Sequence, residues 1–243
     1  AIIVVPTKAL ALQWENEVKN FNFQNVLSTQ TDKDWKSDLS RYTTKCILNK
    51  KKSLVLITTY ATFTRKYVQE FVINTKGINE FVFIADEAHN LGSRGPLNHL
   101  PINISKRIGL SATPERVYDE VGSRKLYQFF NSMPPKYTFR FTMKQAIDGR
   151  ILCKYNYYPI FVSLTSDEME EYSNITDQLR KFIDPVTGKY KEEAEMLLMK
   201  RKRIIHKAQN KKIKVAELLD KLSRERKLNY TFVFVPEGYE PNY

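Results

Sequence analysis

Five short apolar runs, separated by stretches of helical spacing, restrict the fold of this chain more than any other feature. They cover residues 2–5, 25–27, 54–57, 81–85 and 107–110. The run at 81–85 is apolar without interruption, which is typical of a strand covered on both faces. Residues 8–21 repeat apolar side chains at helical spacing. The alternation predicts an α/β fold, a parallel sheet sandwiched by helices, in which ligands bind at the carboxyl ends of the strands.

The pattern changes after residue 150, so three regions are predicted. Residues 1–150 hold the α/β lobe, with a polar loop at 92–101. Residues 151–228 hold a connecting strand at 155–164, a helix that begins with Ser166 or Asp167 as its cap, and a long basic helix at 192–222. A further strand is predicted at 229–235, so that residues 229–243 open a second domain.

The charge of the chain favours a polyanionic partner. Its 39 Lys and Arg outnumber its 27 Asp and Glu, for a net charge of +12, and nucleic acid is the common partner of so basic a protein. Residues 189–228 carry fourteen of the bases and six of the acids. Their basic helix either faces a DNA backbone or is the solvated face of a helix whose apolar stripe docks on the lobe, and these two interpretations are compatible.

Hydrophobic content and cysteine usage indicate a cytoplasmic globular protein. Hydrophobic residues make up 42% of the chain, which is enough for a packed core. No apolar run approaches the roughly 20 residues of a membrane helix, so no membrane partner is expected. Cys46 and Cys153 have neither metal-site spacing nor a disulfide framework, which fits a reducing compartment.

Two adjacent carboxylates, Asp86 and Glu87, directly follow the uninterrupted strand, in a tetrapeptide that ends at His89. Asp86 is placed to hold Mg²⁺, largely through water, because this ion prefers oxygen ligands and keeps part of its hydration shell. Glu87 points elsewhere and is placed to orient or deprotonate an attacking water. The alternative is that both acids only cap the next helix.

The strand at 107–110 ends in two hydroxyl residues, Ser111 and Thr113. Their side chains are placed to bond to the neighbouring carboxylate strand and to respond to phosphate, or else to form a local turn. Together, Asp86-Glu87-Ala88-His89 and Ser111-Ala112-Thr113 resemble two motifs of the superfamily-two DEAD/DEAH-box helicases. The resemblance implies a RecA-like first lobe with ATP and Mg²⁺ as cofactors, held by Asp86, Glu87, Ser111 and Thr113, and a catalytic group of Glu87, Asp86 and His89.

The resemblance extends to two segments that follow strands on the side opposite the nucleotide. Val5-Pro6-Thr7-Lys8-Ala9-Leu10 with Gln13-Trp14 looks like motif Ia, and Thr58-Thr59-Tyr60 looks like motif Ib. Hydroxyls, a lysine and amides at helix starts suit phosphate oxygens, although helix capping by Thr7 and Thr58 is a compatible alternative. The resemblance implies six residues that hold a nucleic-acid backbone: Thr7, Lys8, Gln13, Thr58, Thr59 and Tyr60.

A longer series of matches narrows the resemblance. The series resembles bacterial double-stranded-DNA translocases, which are related to the restriction subunits of type I and type III systems and to DNA-repair helicases. It consists of Glu87 to Gly92, Leu110 to Arg116, Asp119-Glu120, Phe129-Phe130, Gln145 to Gly149 and Tyr155 to Pro159. This similarity implies DNA rather than RNA as the track. It also implies a second RecA-like lobe in the same protein.

One element of the resemblance is missing from these 243 residues. None of the eight glycines precedes Lys-Ser or Lys-Thr, so the Walker A loop that cradles a triphosphate is not in the printed sequence. In the family this loop precedes the strand at 2–5, and the arginine finger of the second lobe is expected after Tyr243. We therefore expect these residues alone to bind ATP poorly and not to hydrolyse it. A catalytically dead DNA-binding scaffold and an RNA helicase lobe are the alternatives.

Overall fold

The structure is a computed structural model that describes residues 1–48, 53–116, 119–185, 188 and 190–235. It divides into two compact units, Ala1–Ile151 and Leu152–Tyr243. Residues 236–243, which belong to the predicted second-domain opening, lie outside the described residues.

The first unit is built on a five-stranded parallel sheet. Its strands are β1 (Ile2–Val5), β2 (Val26–Ser28), β3 (Val55–Thr59), β4 (Val82–Asp86) and β5 (Lys106–Leu110). They lie in the order β2-β3-β1-β4-β5, and every neighbouring pair is parallel. The predicted α/β fold is therefore confirmed, and each of the five strands overlaps one of the predicted apolar runs.

Helices lie between these strands and after the last of them. They are α1 (Lys8–Asn20), α2 (Trp35–Ile47), α3 (Tyr60–Phe63), α4 (Lys66–Asn74), α5 (Arg94–Leu97), α6 (Glu120–Phe130) and α7 (Met143–Asp148). Two 3₁₀ turns lie at Ile78–Glu80 and Ala88–Gly92. The prediction of a polar loop at 92–101 is wrong in part, because α5 lies inside it. A helix of one turn is too short for apolar periodicity to reveal.

Side chains of β1 alternate between two hydrophobic clusters, one on each face of the sheet. Ile2 and Val4 belong to the larger cluster, which includes residues of α2, α4 and α6, and Ile3 and Val5 belong to the smaller one with Ala11 and Val18 of α1. All four β1 side chains are at most 2% exposed. Each contributes roughly 1.5–3 kcal/mol when buried, so this central strand anchors both layers of helices.

The described part of the second unit contains the helices α8 (Ser166–Arg180), α9 (Glu195–Lys207) and α10 (Gln209–Arg224), with a 3₁₀ turn at Glu192–Ala194. A capping box between Thr165 and Glu168 begins α8, so the helix start is as predicted but the cap is Thr165. Ile175, Leu179 and Ala194 form a small core, against which apolar residues of α9 pack. Among the described residues, no helix combines the length and the apolar content that a membrane crossing requires.

The prediction of one long basic helix at 192–222 is wrong, because the helix breaks at Ala208. This residue has φ −47° and ψ 128° and is 1% exposed. The break allows the Gln209 N–H to donate to Glu168 Oε1 at 2.8 Å, and the Asn210 side chain to donate to the Ser163 carbonyl at 2.7 Å. These bonds satisfy the start of α10, a tertiary effect that helical periodicity does not contain.

The strands predicted at 155–164 and 229–235 are also wrong. Neither segment is a strand, and their aromatic side chains are exposed, with Phe161 at 92% and Phe234 at 96%. Both have the composition of strands, but a strand requires a neighbouring strand to accept and donate its ladder bonds. Within the described parts of the chain, neither segment pairs with one.

A buried pair of hydroxyl groups joins the ends of β2 and β3. Thr29 Oγ1 donates to Thr58 Oγ1 at 3.0 Å, and Thr29 also accepts a bond from Gln30 Nε2 at 3.1 Å. Thr58 is completely buried and Thr29 is 9% exposed. The pair therefore satisfies polar groups that water does not reach.

Replacing Thr58 by Val is expected to lower the free energy of unfolding of the first unit by about 1–3 kcal/mol, because it leaves the Thr29 hydroxyl hydrogen buried and without an acceptor. The double variant Thr29→Val/Thr58→Val should lose less than the two single losses added together. Chemical denaturation measures all three, and Thr44→Val, at an exposed helix position, is the control with a change below about 0.5 kcal/mol. Strictly additive losses would contradict the pairing.

Candidate functional site

The carboxyl ends of β4 and β5 meet at one edge of the sheet. In their parallel register Ala85 lies opposite Gly109 and Asp86 opposite Leu110. The turn that follows β4 therefore lies beside the residues that follow β5, which are Ser111 and its neighbours. This register brings together the two segments that the sequence predicted to share a site.

Hydrogen bonds from three directions hold Asp86. Its Oδ2 accepts from Trp14 Nε1 at 2.8 Å, and its Oδ1 accepts from the Glu87 N–H at 3.0 Å. Its main-chain oxygen accepts from the Tyr60 hydroxyl at 2.8 Å. Sequence reasoning did not assign Trp14 or Tyr60 to this carboxylate, because the contacts span 72 and 26 residues and leave no local pattern.

Glu87 lies in the left-handed backbone region, with φ 47° and ψ 55°. This region costs a residue with a Cβ roughly 1–2 kcal/mol, and the bond from Asn90 Nδ2 to the Glu87 carbonyl at 3.1 Å helps to hold it. The Glu87 side chain is 42% exposed and makes no capping bond to the following turn. Helix capping therefore does not account for this carboxylate, and its strained backbone directs it away from Asp86.

His89 connects Glu87 to Ser111. Its Nδ1 lies 3.1 Å from Ser111 Oγ and 3.4 Å from Glu87 Oε2. The Asn90 amide nitrogen, which only donates, lies 3.3 Å from His89 Nε2. We assign Nε2 as the acceptor of this bond and therefore place a proton on Nδ1, facing Ser111 and Glu87.

The Ser111 oxygen also accepts a bond from the Thr113 N–H at 3.2 Å. Ser111 Oγ thus accepts from two nitrogen donors, and among the described residues no acceptor faces its own hydroxyl hydrogen. The Thr113 side chain is exposed beside it. The structure therefore brings Asp86, Glu87, His89 and Ser111 into one cluster, with Thr113 at its margin.

Arg116 is a further member of this region that sequence reasoning missed. Its guanidinium donates to the His89 carbonyl, and its Nε donates to Asp119 Oδ2 at 2.7 Å. Burial alone would raise the pKa of Asp119, but bonds from Arg116 and the Gly122 N–H lower it below its usual value. A Cβ at Gly92 would lie 2.5 Å from Arg116 Cδ and 2.8 Å from Leu126 Cδ1, so a larger residue there would displace these two side chains. The three-residue spacing of Arg116 and Asp119 was the available signal.

Three of the six residues predicted to contact nucleic acid lie at the surface. Thr7 caps α1 by accepting the Leu10 N–H at 3.2 Å, so the capping alternative is correct for this residue. Lys8 and Gln13 are exposed on the same helix. Their predicted contact with a backbone remains a prediction.

The other three, Thr58, Thr59 and Tyr60, are at most 7% exposed. Thr59, not Thr58, caps the next helix by accepting the Thr62 N–H at 3.3 Å. In this conformation the three side chains do not face solvent, so any contact with nucleic acid here falls to the main chain or to a rearranged loop. Burial and the negative charges of Asp86 and Glu87 raise the pKa of Tyr60, which keeps its hydroxyl a donor.

The carboxylates fit a magnesium ion that takes most of its ligands from water and phosphate. No group of three or more His, Cys, Asp or Glu in the described residues is arranged to bind a metal, so a site made of protein ligands alone is not present there. Asp86 has no cationic partner in the described residues, and each of its oxygens accepts a single bond. Each oxygen therefore has a free lone pair for a hard cation.

The chain is similar in sequence to a known protein family and to a DNA translocase. Residues 1–116 match the family described as "Type III restriction enzyme, res subunit". A DNA 3'-5' translocase, XPB2 of Sulfurisphaera tokodaii, is 31% identical over 107 residues, which are 43% of this chain and 23% of the translocase. The crystal structure of the Pyrococcus furiosus Hef helicase domain aligns with 94% of this chain and 45% of its own length, at 13% identity and a TM-score of 0.42.

The chain thus spans less than a quarter of the translocase that it matches. The family match covers β1 to β5 and the two segments that hold Asp86, Glu87, His89 and Ser111. Residues 1–116, which hold the whole described parallel sheet, are thus similar to the res subunit family of type III restriction enzymes.

Proposed function

We propose that this chain is the first motor lobe, with part of the following region, of a DNA-dependent ATPase that moves on duplex DNA in restriction or repair. The observation that carries the proposal is the cluster of Asp86, Glu87, His89 and Ser111 at the ends of two adjacent parallel strands. Parallel sheets bind ligands at this position. ATP and Mg²⁺ are the cofactors that suit adjacent carboxylates beside hydroxyl groups.

Asp86 and Glu87 take different tasks because their surroundings differ. Asp86, held by Trp14 and by the Glu87 N–H, would hold Mg²⁺ through water. When bound, this ion neutralises charge on phosphate oxygens. The Glu87 carboxylate is 42% exposed, lies 3.4 Å from His89 Nδ1, and would accept a proton from an attacking water.

His89 and Ser111 would sense the state of the nucleotide. The His89 Nδ1–H is close enough to Ser111 and Glu87 to move between them, and the Ser111 hydroxyl hydrogen is available for a phosphate oxygen. Arg116 holds the His89 main chain and thus links this cluster to the start of α6. A change at the phosphate would reach that helix through Ser111, His89, Arg116 and the cap residue Asp119 in turn.

The described sheet has two edge strands, β2 and β5, and of these only β5 lies beside this cluster. The β2 edge is separated from β4 by β3 and β1, whereas β5 is an edge strand directly beside β4. Ile108 and Leu110 of β5 are 46% and 41% exposed. We propose that the Walker A segment of the natural protein approaches along β5, and that without it these 243 residues do not turn ATP over.

DNA is the proposed track for two reasons. The similar translocase acts on DNA by its name, and the chain has a surface suited to phosphate. Residues 196–216 hold eight Lys and Arg and no acid. On α9, Leu197, Leu198 and Ile204 pack inward, while Lys200, Lys202 and Arg203 are exposed without a carboxylate partner among the described residues. A backbone of phosphates would supply the missing charge.

Glu87→Gln, in a protein that carries this chain together with its phosphate loop, should lower DNA-stimulated ATP turnover by roughly 10²–10⁴-fold, because a neutral amide cannot accept the proton of water. ATP binding should be unchanged. Steady-state hydrolysis and nucleotide titration measure the two effects, and Glu17→Gln, an exposed carboxylate on α1, is the matched control. Undiminished turnover in Glu87→Gln would remove Glu87 from the mechanism.

Neutralising the α9 face with Lys200→Gln/Lys202→Gln/Arg203→Gln should weaken binding of the 243-residue chain to duplex DNA and reduce the slope of log affinity against log salt by about 2 to 3, since each lost phosphate contact contributes about 0.9. Fluorescence anisotropy at several salt concentrations measures it. Lys33→Gln/Lys45→Gln/Lys125→Gln removes the same charge from exposed positions of the first unit and is the control. Equal slopes in both variants would show that α9 is only a solvated face.

A further inference from the structure

We infer that Trp14 is a positioning residue, which orients the Asp86 carboxylate and thereby sets the magnesium requirement of the site. The inference rests on the proposed function, since it concerns the residue assigned to Mg²⁺. It depends on the hydrogen bond between Trp14 of α1 and Asp86 at the end of β4, which the sequence does not reveal.

The geometry of the Asp86 carboxylate is fixed by two uncharged donors. Trp14 Nε1 lies 2.8 Å from Oδ2 and the Glu87 main-chain nitrogen lies 3.0 Å from Oδ1. One bond on each oxygen defines the plane of the carboxylate and leaves each oxygen a free lone pair. A rotation of the side chain would break both bonds.

The chemistry of the indole suits this task. Its N–H is a donor without acceptor capacity or charge. Lys or Arg at this place would also bind Oδ2, but its charge would oppose a metal ion and neutralise the carboxylate. Trp14 orients Asp86 and leaves its negative charge available.

Tyr60 holds the other end of the same residue. Its hydroxyl donates to the Asp86 main-chain oxygen at 2.8 Å, from a ring that is 6% exposed. Asp86 is thus tied by its side chain to α1 and by its main chain to the first residue of α3. Both helices begin at segments predicted to contact nucleic acid, at the caps Thr7 and Thr59.

The consequence is that small movements of α1 change the direction of the Asp86 oxygens. Thr7 begins α1 and Trp14 follows after about two turns of the same helix. A helix is stiff over this length, so a shift at its start displaces the indole. The Mg²⁺ concentration that turnover requires should then depend on the bond between Trp14 and Asp86.

The test compares Trp14→Phe with Trp35→Phe, since the chain has only these two tryptophans. Trp35 is buried against the edge of Tyr67, and none of its contacts involves Asp86. In the protein with its phosphate loop, Trp14→Phe should raise the Mg²⁺ concentration for half-maximal ATP turnover by roughly 10–100-fold. Turnover at saturating Mg²⁺ should stay within a few fold of the wild type. Trp35→Phe should leave the Mg²⁺ requirement unchanged.

A second readout needs no turnover. In ¹⁵N-labelled 243-residue chain, the Trp14 indole proton should resonate downfield and exchange slowly with solvent, and Asp86→Ala should abolish both properties. The persistence of the dispersed Trp35 indole signal in Trp14→Phe and Asp86→Ala shows that each variant is folded.

The outcomes separate the inference from the proposed function. Two results would overturn the inference and leave the proposed function standing. One is a Trp14 indole signal that is unchanged in Asp86→Ala, and the other is an unchanged Mg²⁺ requirement in Trp14→Phe when the wild type turns over normally. Absence of wild-type turnover in the presence of the phosphate loop overturns the proposed function, and the inference with it.

Discussion

The parallel pairing of β4 with β1 on one side and with β5 on the other is the constraint on which the site depends. Asp86 ends β4, and the β4–β5 register puts Leu110 opposite it. Every chemical contact of the cluster follows from that alignment: Ser111 comes next on β5, and Glu87 and His89 come next on β4. A slip of one residue would turn these side chains to the other face of the sheet. Phe83 and Ala85 of β4, both fully buried, hold the register.

The sheet also explains why the carboxylates of Asp86 and Glu87 differ in their contacts and in their exposure. Asp86 is still within the strand and is tied to α1 and α3 by Trp14 and Tyr60. Glu87 is the first residue beyond it, in a left-handed conformation that turns its side chain toward His89. One residue is thus held rigidly by the layers on the sheet, and the next is exposed at the edge. Strain stored at one non-glycine residue beside such a rigid neighbour is common at functional sites.

Sequence patterns revealed the parts of the structure that depend on local repetition. Short, largely apolar runs located the five strands, and the residues that follow two of them include Glu87, His89 and Ser111. Contacts between distant segments were not accessible, because the bonds of Trp14 and Tyr60 to Asp86 have no sequence signature. Two segments rich in Tyr, Phe and Val were taken for strands, but composition does not supply a pairing partner. The break at Ala208 was missed because alanine is the best helix former, and Glu168 and Ser163 accept bonds from the residues after it.

The central claim is that this lobe belongs to an ATPase whose turnover is stimulated by DNA. The most direct measurement is ATP turnover by the protein that carries this chain with its phosphate loop, without nucleic acid, with duplex DNA and with RNA of the same length. We predict slow turnover without nucleic acid, strong stimulation by duplex DNA and little stimulation by RNA. Stimulation by RNA alone, or no turnover under any of the three conditions, would contradict it.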